Sequence, residues 1–216
     1  GLDLTEDDIE ALHDGFSHIY IGREAGGHAD AEAGGVRVGS VTNAITFYDQ
    51  VTIYGGRIEV VDYTNGNRDF ITATQVNLDS VGHINVYNAA KIGGLTKAPL
   101  TLYSAEGHIK QYQDATDNKS DEYIMAGLLI AEAMRGIDLG WTQLTIIDLL
   151  NRGKGDIFLN EVAAGGPLQV ERLEQQSGES NDIEVTSEDG AITLIGNGTG
   201  ATTQEGSGII TINAGG

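Results

Sequence analysis

Seven isoleucines, Ile58, Ile84, Ile109, Ile137, Ile157, Ile183 and Ile210, recur at intervals of 26, 25, 28, 20, 26 and 27 residues. Two residues before most of them stands a bend-forming residue: Gly56, Gly82, Gly107, Gly155, Asn181 and Gly208. Two residues after most stands a second apolar residue: Val60, Val86, Leu139, Leu159, Val185 and Ile212. A bend followed by two inward-pointing residues, repeated about every 25 residues, describes one strand per turn of a solenoid. Few other folds accommodate such a period.

A second column runs beside the first: Val51, Val76, Leu100, Leu128, Leu144, Leu168 and Ile192. Both prolines of the chain, Pro99 and Pro167, fall immediately before members of it. Proline is tolerated at the first residue of a strand, where a missing N–H costs little. Ile45, Ile71 and Ile92 sketch a third, weaker column. The reading is an all-β, right-handed parallel β-helix of about seven to eight rungs over residues 18–216, with residues 1–17 as a capping segment. Equivalent strands pair in parallel one turn apart, and their inward side chains stack into an apolar pile.

Within the cap, residues 4–14 read as a helix. Thr5 suits the N-cap, Asp8 the reciprocal capping-box position, and Leu4, Ile9 and Leu12 an apolar face. From His18 the period changes to two, in 18–21, 36–38 and 45–47. Residues 22–35 read as an outward loop, and residues 114–122 and 174–182 as polar excursions. The run 123–134 has helical propensity but is expected to be strand, because a helix there would interrupt the stack. Trp141 is expected to fill a tight corner.

Formal charge is −20, from 12 basic and 32 acidic residues, which argues against nucleic acid or an anionic membrane surface as partner. No apolar run reaches bilayer-spanning length, so membrane insertion is not expected. With zero cysteines there is neither a disulfide framework nor thiolate chemistry. The first residue is Gly1 and no signal peptide is visible, so the chain reads as a processed product or an excerpt.

The segments 190–194, 208–216 and 82–86, of the type Gly-Ile-Ile-Thr-Ile-Asn-Ala-Gly-Gly, resemble repeats of filamentous-haemagglutinin-type bacterial adhesins. The openings 4–9 and 15–22 are similar to segments that begin rungs in such proteins. The resemblance covers roughly residues 18–216. It implies a right-handed β-helix displayed outside the cell, a non-enzymatic stalk that meets a host or matrix glycan or protein. The asparagine-rich secretion signature of that family has no visible counterpart.

Alternation nominates one outward patch. If Ile84, Val86, Ile109 and Gln111 point in, then His83, Tyr87, His108 and Tyr112 point out on adjacent rungs about 4.8 Å apart. A histidine ladder beside a tyrosine ladder suits sugar stacking or metal contact; the same residues also suit an ordinary solvated strand face. No resident cofactor is expected, except possible calcium at Asp114, Asp117, Asp121 and Glu122, or at Asp182, Glu188 and Asp189. Neither acidic loop has EF-hand spacing, and a solvated acidic loop is the reading preferred for both. Asp156 and Asp182 share one outward position a turn apart, the arrangement a carbohydrate-active β-helix enzyme would use. No nucleophile elbow, phosphate loop or zinc spacing accompanies them, and His13 and His28 stand alone in the sequence. Finally, the strand pattern reaches Ile210–Ile212 without a terminator, so end-to-end self-association into a filament is a second functional expectation.

Overall fold

A computed structural model describes residues 1–12, 14–39, 45–61, 70–87, 91–93, 98–112, 124–162, 167–177, 181–188, 190–195, 201–203 and 208–215. It is a parallel β-solenoid with about five full turns. One face carries the isoleucines: Leu2–Leu4, Gly35–Val38, Arg57–Val61, Ile84–Tyr87, Ile109–Tyr112, the start of Ile137–Asn151, Ile157–Glu161, Ile183–Ser187 and Ile210–Ala214 stack in parallel. A second face runs from Ile19–Gly22 through Val51–Gly55, Val76–Ser80 and Pro99–Ser104 to Leu168–Gln175. A third face stacks Ile45–Thr46, Phe70–Thr72, Lys91–Gly93 and the first residues of Ile124–Ala133. Full three-faced turns number fewer than the seven to eight rungs expected. Towards both ends, isoleucine-face strands stack without a third-face strand among the described residues.

The isoleucine column is the axis of the core. Ile58, Ile84, Ile109, Ile137, Ile157 and Ile183 are fully buried, and each faces the next in register. The residue N-terminal to each one fixes the register at the corner. Ile58, Ile84, Ile109, Ile137, Ile157 and Ile183 donate their N–H groups to His83 O, His108 O, Gly136 O, Asp156 O, Asp182 O and Ile209 O, at 2.9–3.1 Å. Like residues stacked in this way bury like shapes, which is why a period of about 25 shows in the sequence at all.

The second column departs from expectation by a step. Leu100 faces Leu129, not Leu128, and Leu129 faces Ile147. Leu144 belongs instead beside Ala126, before the corner. Ala126 and Leu129 are buried, while Gly127 and Leu128 are half-exposed. Two consecutive residues therefore turn outward, and the alternation changes phase between the third and second faces. Ile124–Ala133 is strand as expected, and Trp141 is buried beside a register shift between Leu139 and Thr142.

The N-terminal helix is shorter than residues 4–14. Leu2–Leu4 is already a strand paired with Gly35–Val38, and the helix occupies Glu6–Glu10. The capping box forms, with the Asp8 carboxylate accepting from Thr5 N–H at 3.0 Å and Thr5 Oγ1 at 2.7 Å. Leu4 and Ile9 join the common core, with Leu12 packed against it. The expected outward loop at 22–35 contains a small hairpin, Glu24–Ala25 with His28–Ala29. It is pinned to the second face: His28 Nδ1 lies 2.7 Å from Asp79 Oδ2, and Ala29 N–H donates to Asp79 Oδ1 at 2.9 Å. His28 also stacks on Tyr103, so it does not stand alone.

The interior pile is not wholly apolar. At the corner from the second face to the isoleucine face, Gly55, Ser80, Ser104, Ala133, Asn151 and Gln175 stack in register. Ser80, Ser104, Asn151 and Gln175 are at most 2% exposed. Their polar atoms satisfy the carbonyls of the bend: Ser104 Oγ donates to Gly82 O at 2.5 Å, and Gln175 Nε2 to Gly153 O at 2.6 Å. A buried corner carbonyl without a donor would carry a desolvation cost, and this column removes it.

Candidate functional site

Alternation from the buried isoleucines sends His83, Asn85 and Tyr87 outward on one turn, and His108, Lys110 and Tyr112 on the next. The four nominated residues come together as two stacked pairs. The His83 and His108 rings lie 3.9 Å apart, centroid to centroid, and those of Tyr87 and Tyr112 lie 4.8 Å apart at an interplanar angle of 14°. The link between the pairs is Asn85, which lies on the same face but is covered by its neighbours. Asn85 Nδ2 donates to the Tyr87 hydroxyl at 3.2 Å, and Asn85 Oδ1 lies 3.0 Å from His108 Nε2. The patch is thus one hydrogen-bonded unit. Its signal in the sequence was the outward parity of Asn85, the same parity that nominated the four rings.

The histidines are held neutral. Burial lowers the His83 pKa, assisted by the nearby Arg135 and Arg57 cations. His83 Nδ1 also accepts the N–H of His108 at 3.1 Å, which requires an unprotonated nitrogen there. Burial likewise lowers His108, with His83, Lys110 and Arg135 adding to the effect against the opposing pull of Asp138. Tyr87 is raised by burial first, then by Glu59 and Tyr112. Lys110 is raised by its hydrogen bond to Asp138 Oδ2 at 2.6 Å, and its ammonium stands 5.3 Å from the Tyr112 ring centroid.

Next to the histidine pair the face opens into a groove of about 440 Å³, bordered by His108, Lys110, Tyr112, Arg135, Asp138 and Phe158 among others. The stacking order explains it. The position before each column isoleucine is His83, His108, Gly136, Asp156 and Asp182 in successive turns. Gly136 places no side chain between His108 and Asp156. A glycine is required there: φ is +102°, and a Cβ would sit 3.0 Å from Asp156 O.

The Asp156 and Asp182 pair has a structural occupation. Asp156 Oδ1 accepts Asp182 N–H and Asp182 Oδ1 accepts Ile209 N–H, each at 2.8 Å. This repeats what His83 Nδ1 does three turns earlier. At these three levels the side chain, aspartate or histidine, is the acceptor at which the next turn's N–H points, whereas Gly136 N–H goes to Asn151 Oδ1 instead. Arg172 and Arg152, the nearest sequence candidates for a cationic partner, pair instead with Asp148 and Glu132. The calcium candidates Asp114, Asp117, Asp121, Glu122 and Asp189 lie outside the described residues, as does His13. Among the described residues no group of three histidine, aspartate or glutamate side chains is arranged to hold a metal ion.

Comparison with protein-family models, with curated proteins and with solved structures gives no match. The class that the fold defines is a parallel β-solenoid repeat region. No helix among the described residues is long and apolar enough to cross a membrane.

Proposed function

We propose that the chain is a non-enzymatic, extracellular structural and adhesive solenoid, a rigid stalk segment of a bacterial surface adhesin that presents its stacked face to a glycan or protein receptor. The observation that carries this reading is the paired His83–His108 and Tyr87–Tyr112 stack, joined through Asn85 on an outward strand face. Flat rings at strand spacing offer apolar faces to sugar C–H groups, while Asn85 and Lys110 supply polar edges. The rigidity of parallel in-register stacking holds the four rings in place before any ligand arrives, which lowers the entropic cost of binding.

The test is a glycan-array and receptor-binding comparison of the native chain with the Tyr87→Ala/Tyr112→Ala double variant. Loss of at least tenfold in affinity, about 1.4 kcal/mol, is expected. Unchanged binding by a folded double variant would remove the face from the proposal.

A second reading has its own observation. At the last described turns Leu194, Ile195, Ile209, Ile210 and Ile212 are 37–63% exposed, and Ile210 and Ile212 occupy positions that are inward in every earlier turn. A further rung would cover them, supplied either by more of the same polypeptide or by the Leu2–Leu4 end of another copy stacking head to tail. Light scattering on this chain separates the two: concentration-dependent fibres support the filament, and a monodisperse monomer refutes it.

A further inference from the structure

The groove beside the histidine pair carries an exposed arginine, Arg135, with no carboxylate in ion-pair reach among the described residues. Among the described residues Arg23, Arg37, Arg57, Arg152 and Arg172 each have a carboxylate within 3.3 Å. Arg135 has none, although the chain carries 32 acidic residues against 12 basic ones. Among the described residues its guanidinium makes one hydrogen bond, from Nε to Glu106 O at 2.9 Å. That contact anchors the Nε edge to the preceding turn and leaves both Nη groups without a protein acceptor among the described residues.

The other charged groups of the groove are engaged. Lys110 is held by Asp138, and Asp156 Oδ1 accepts the Asp182 N–H. Neutral His108 adds no net charge. Asp156 keeps its charge, and Arg135 is the groove cation with no carboxylate in ion-pair reach among the described residues, anchored at one edge and bordered by rings. Tyr112 and Phe158 come from the turns on either side of the Ile137 turn, about two strand spacings or ~10 Å apart. Gly136 leaves open the space between His108 and Asp156, one step back along the strands, while Asp138 stands beside Phe158.

We infer that this groove is a subsite for a saccharide bearing a single carboxylate, received by the Arg135 guanidinium, with Tyr112 and Phe158 flanking the sugar ring. The inference rests on the glycan reading of the adjoining face. Guanidinium and carboxylate match as a planar two-bond pair, which ammonium does not reproduce. The formal charge of −20 limits the ligand from the other side. A polyanion is repelled by the surface as a whole, whereas one acidic sugar among neutral ones meets mainly the local cation.

The experiment is calorimetric titration of the full chain with an aldobiouronic acid, one uronate joined to one neutral hexose. The comparator is the same disaccharide with its carboxyl reduced to hydroxymethyl. The acid is expected to bind at least tenfold more tightly, and Arg135→Gln to bring it down to the level of the reduced sugar. Phe158→Ala, which leaves the charge in place, is expected to weaken both sugars by a similar factor. Equal affinity of the native chain for acid and reduced sugar overturns the carboxylate assignment while leaving the glycan reading standing. Displacement of the acid by equimolar acetate or sulfate overturns the saccharide assignment. Binding of neither disaccharide overturns the subsite, and if the stacked face also fails on the glycan array, the adhesive reading falls with it.

Discussion

Replacing Asn151 with leucine isolates the polar column inside the solenoid. Asn151 is fully buried, its Oδ1 accepts Gly136 N–H at 3.0 Å, and its Nδ2 lies 2.6 Å from Gly155 O and 2.9 Å from Gln175 Oε1. Leucine keeps nearly the same volume and removes all of these bonds. Gly136 N–H and Gln175 Oε1 are then buried without partners, while Gly155 O is half-exposed and can be hydrated. Each buried orphan costs about 1–3 kcal/mol, or about 2–6 kcal/mol for the two. Burial of the added apolar surface returns about 1–2 kcal/mol, which leaves a net loss of about 2.5 kcal/mol at the middle of these ranges. In urea the midpoint should fall with an unchanged slope, and Tm should drop by about 5–15 °C for a chain of this size. Amide exchange at Gly136 should accelerate more than exchange at Ile84. Asn151→Asp adds a check on cause: it keeps the Gly136 acceptor but buries a charge, so its deficit should shrink at acid pH. A loss below about 1 kcal/mol for Asn151→Leu, with the slope unchanged, would refute the view that this column holds the corner.

Three further outcomes are expected. Ile84→Ala, at a fully buried mid-stack position, should cost about 2–5 kcal/mol by urea unfolding, whereas Ile210→Ala at 38% exposure should cost well under half as much; equal costs would contradict the stacking order. Both histidines of the stacked face have folded pKa values below the ordinary value of about 6.5, so protonation favours the unfolded chain. Stability from this source is fully present above that pH and is lost progressively as pH falls through it towards the lower folded values. The difference between the native chain and His83→Gln/His108→Gln should therefore narrow on acidification, and a difference that widens would reverse the assignment. Gly155→Ala should destabilise by more than about 1 kcal/mol in the same assay, because φ is +96° and the new Cβ would meet Arg135 O at 2.6 Å; a neutral effect would mean the corner relaxes freely.

The candidate face was legible because it depends only on parity. Once Ile84 and Ile109 are inward and equivalent, His83, Tyr87, His108 and Tyr112 must be outward and paired. The groove was not legible, because it is created by what Gly136 lacks and by an arginine that has no carboxylate in ion-pair reach among the described residues, which only the folded chain decides. Asp156 and Asp182 invited a catalytic reading from sequence position. Their backbone hydrogen bonds, visible only in three dimensions, explain the same residues structurally.

Parallel in-register stacking places equivalent residues of successive turns on one another, so a shape requirement at one level is repeated at all of them. The sequence by itself therefore determined the solenoid, the isoleucine axis and the outward parity of its face. Where both sides of the alternation are apolar, as from Met125 to Ile130, parity has no phase, and only packing decided that Leu129 rather than Leu128 faces Leu100. Contacts set by closure of the coil were likewise decided in the tertiary structure: the His28–Asp79 clasp across 51 residues and the Asn151–Gln175 corner across 24. Among the described residues neither pair recurs, and a contact made once leaves no period to read.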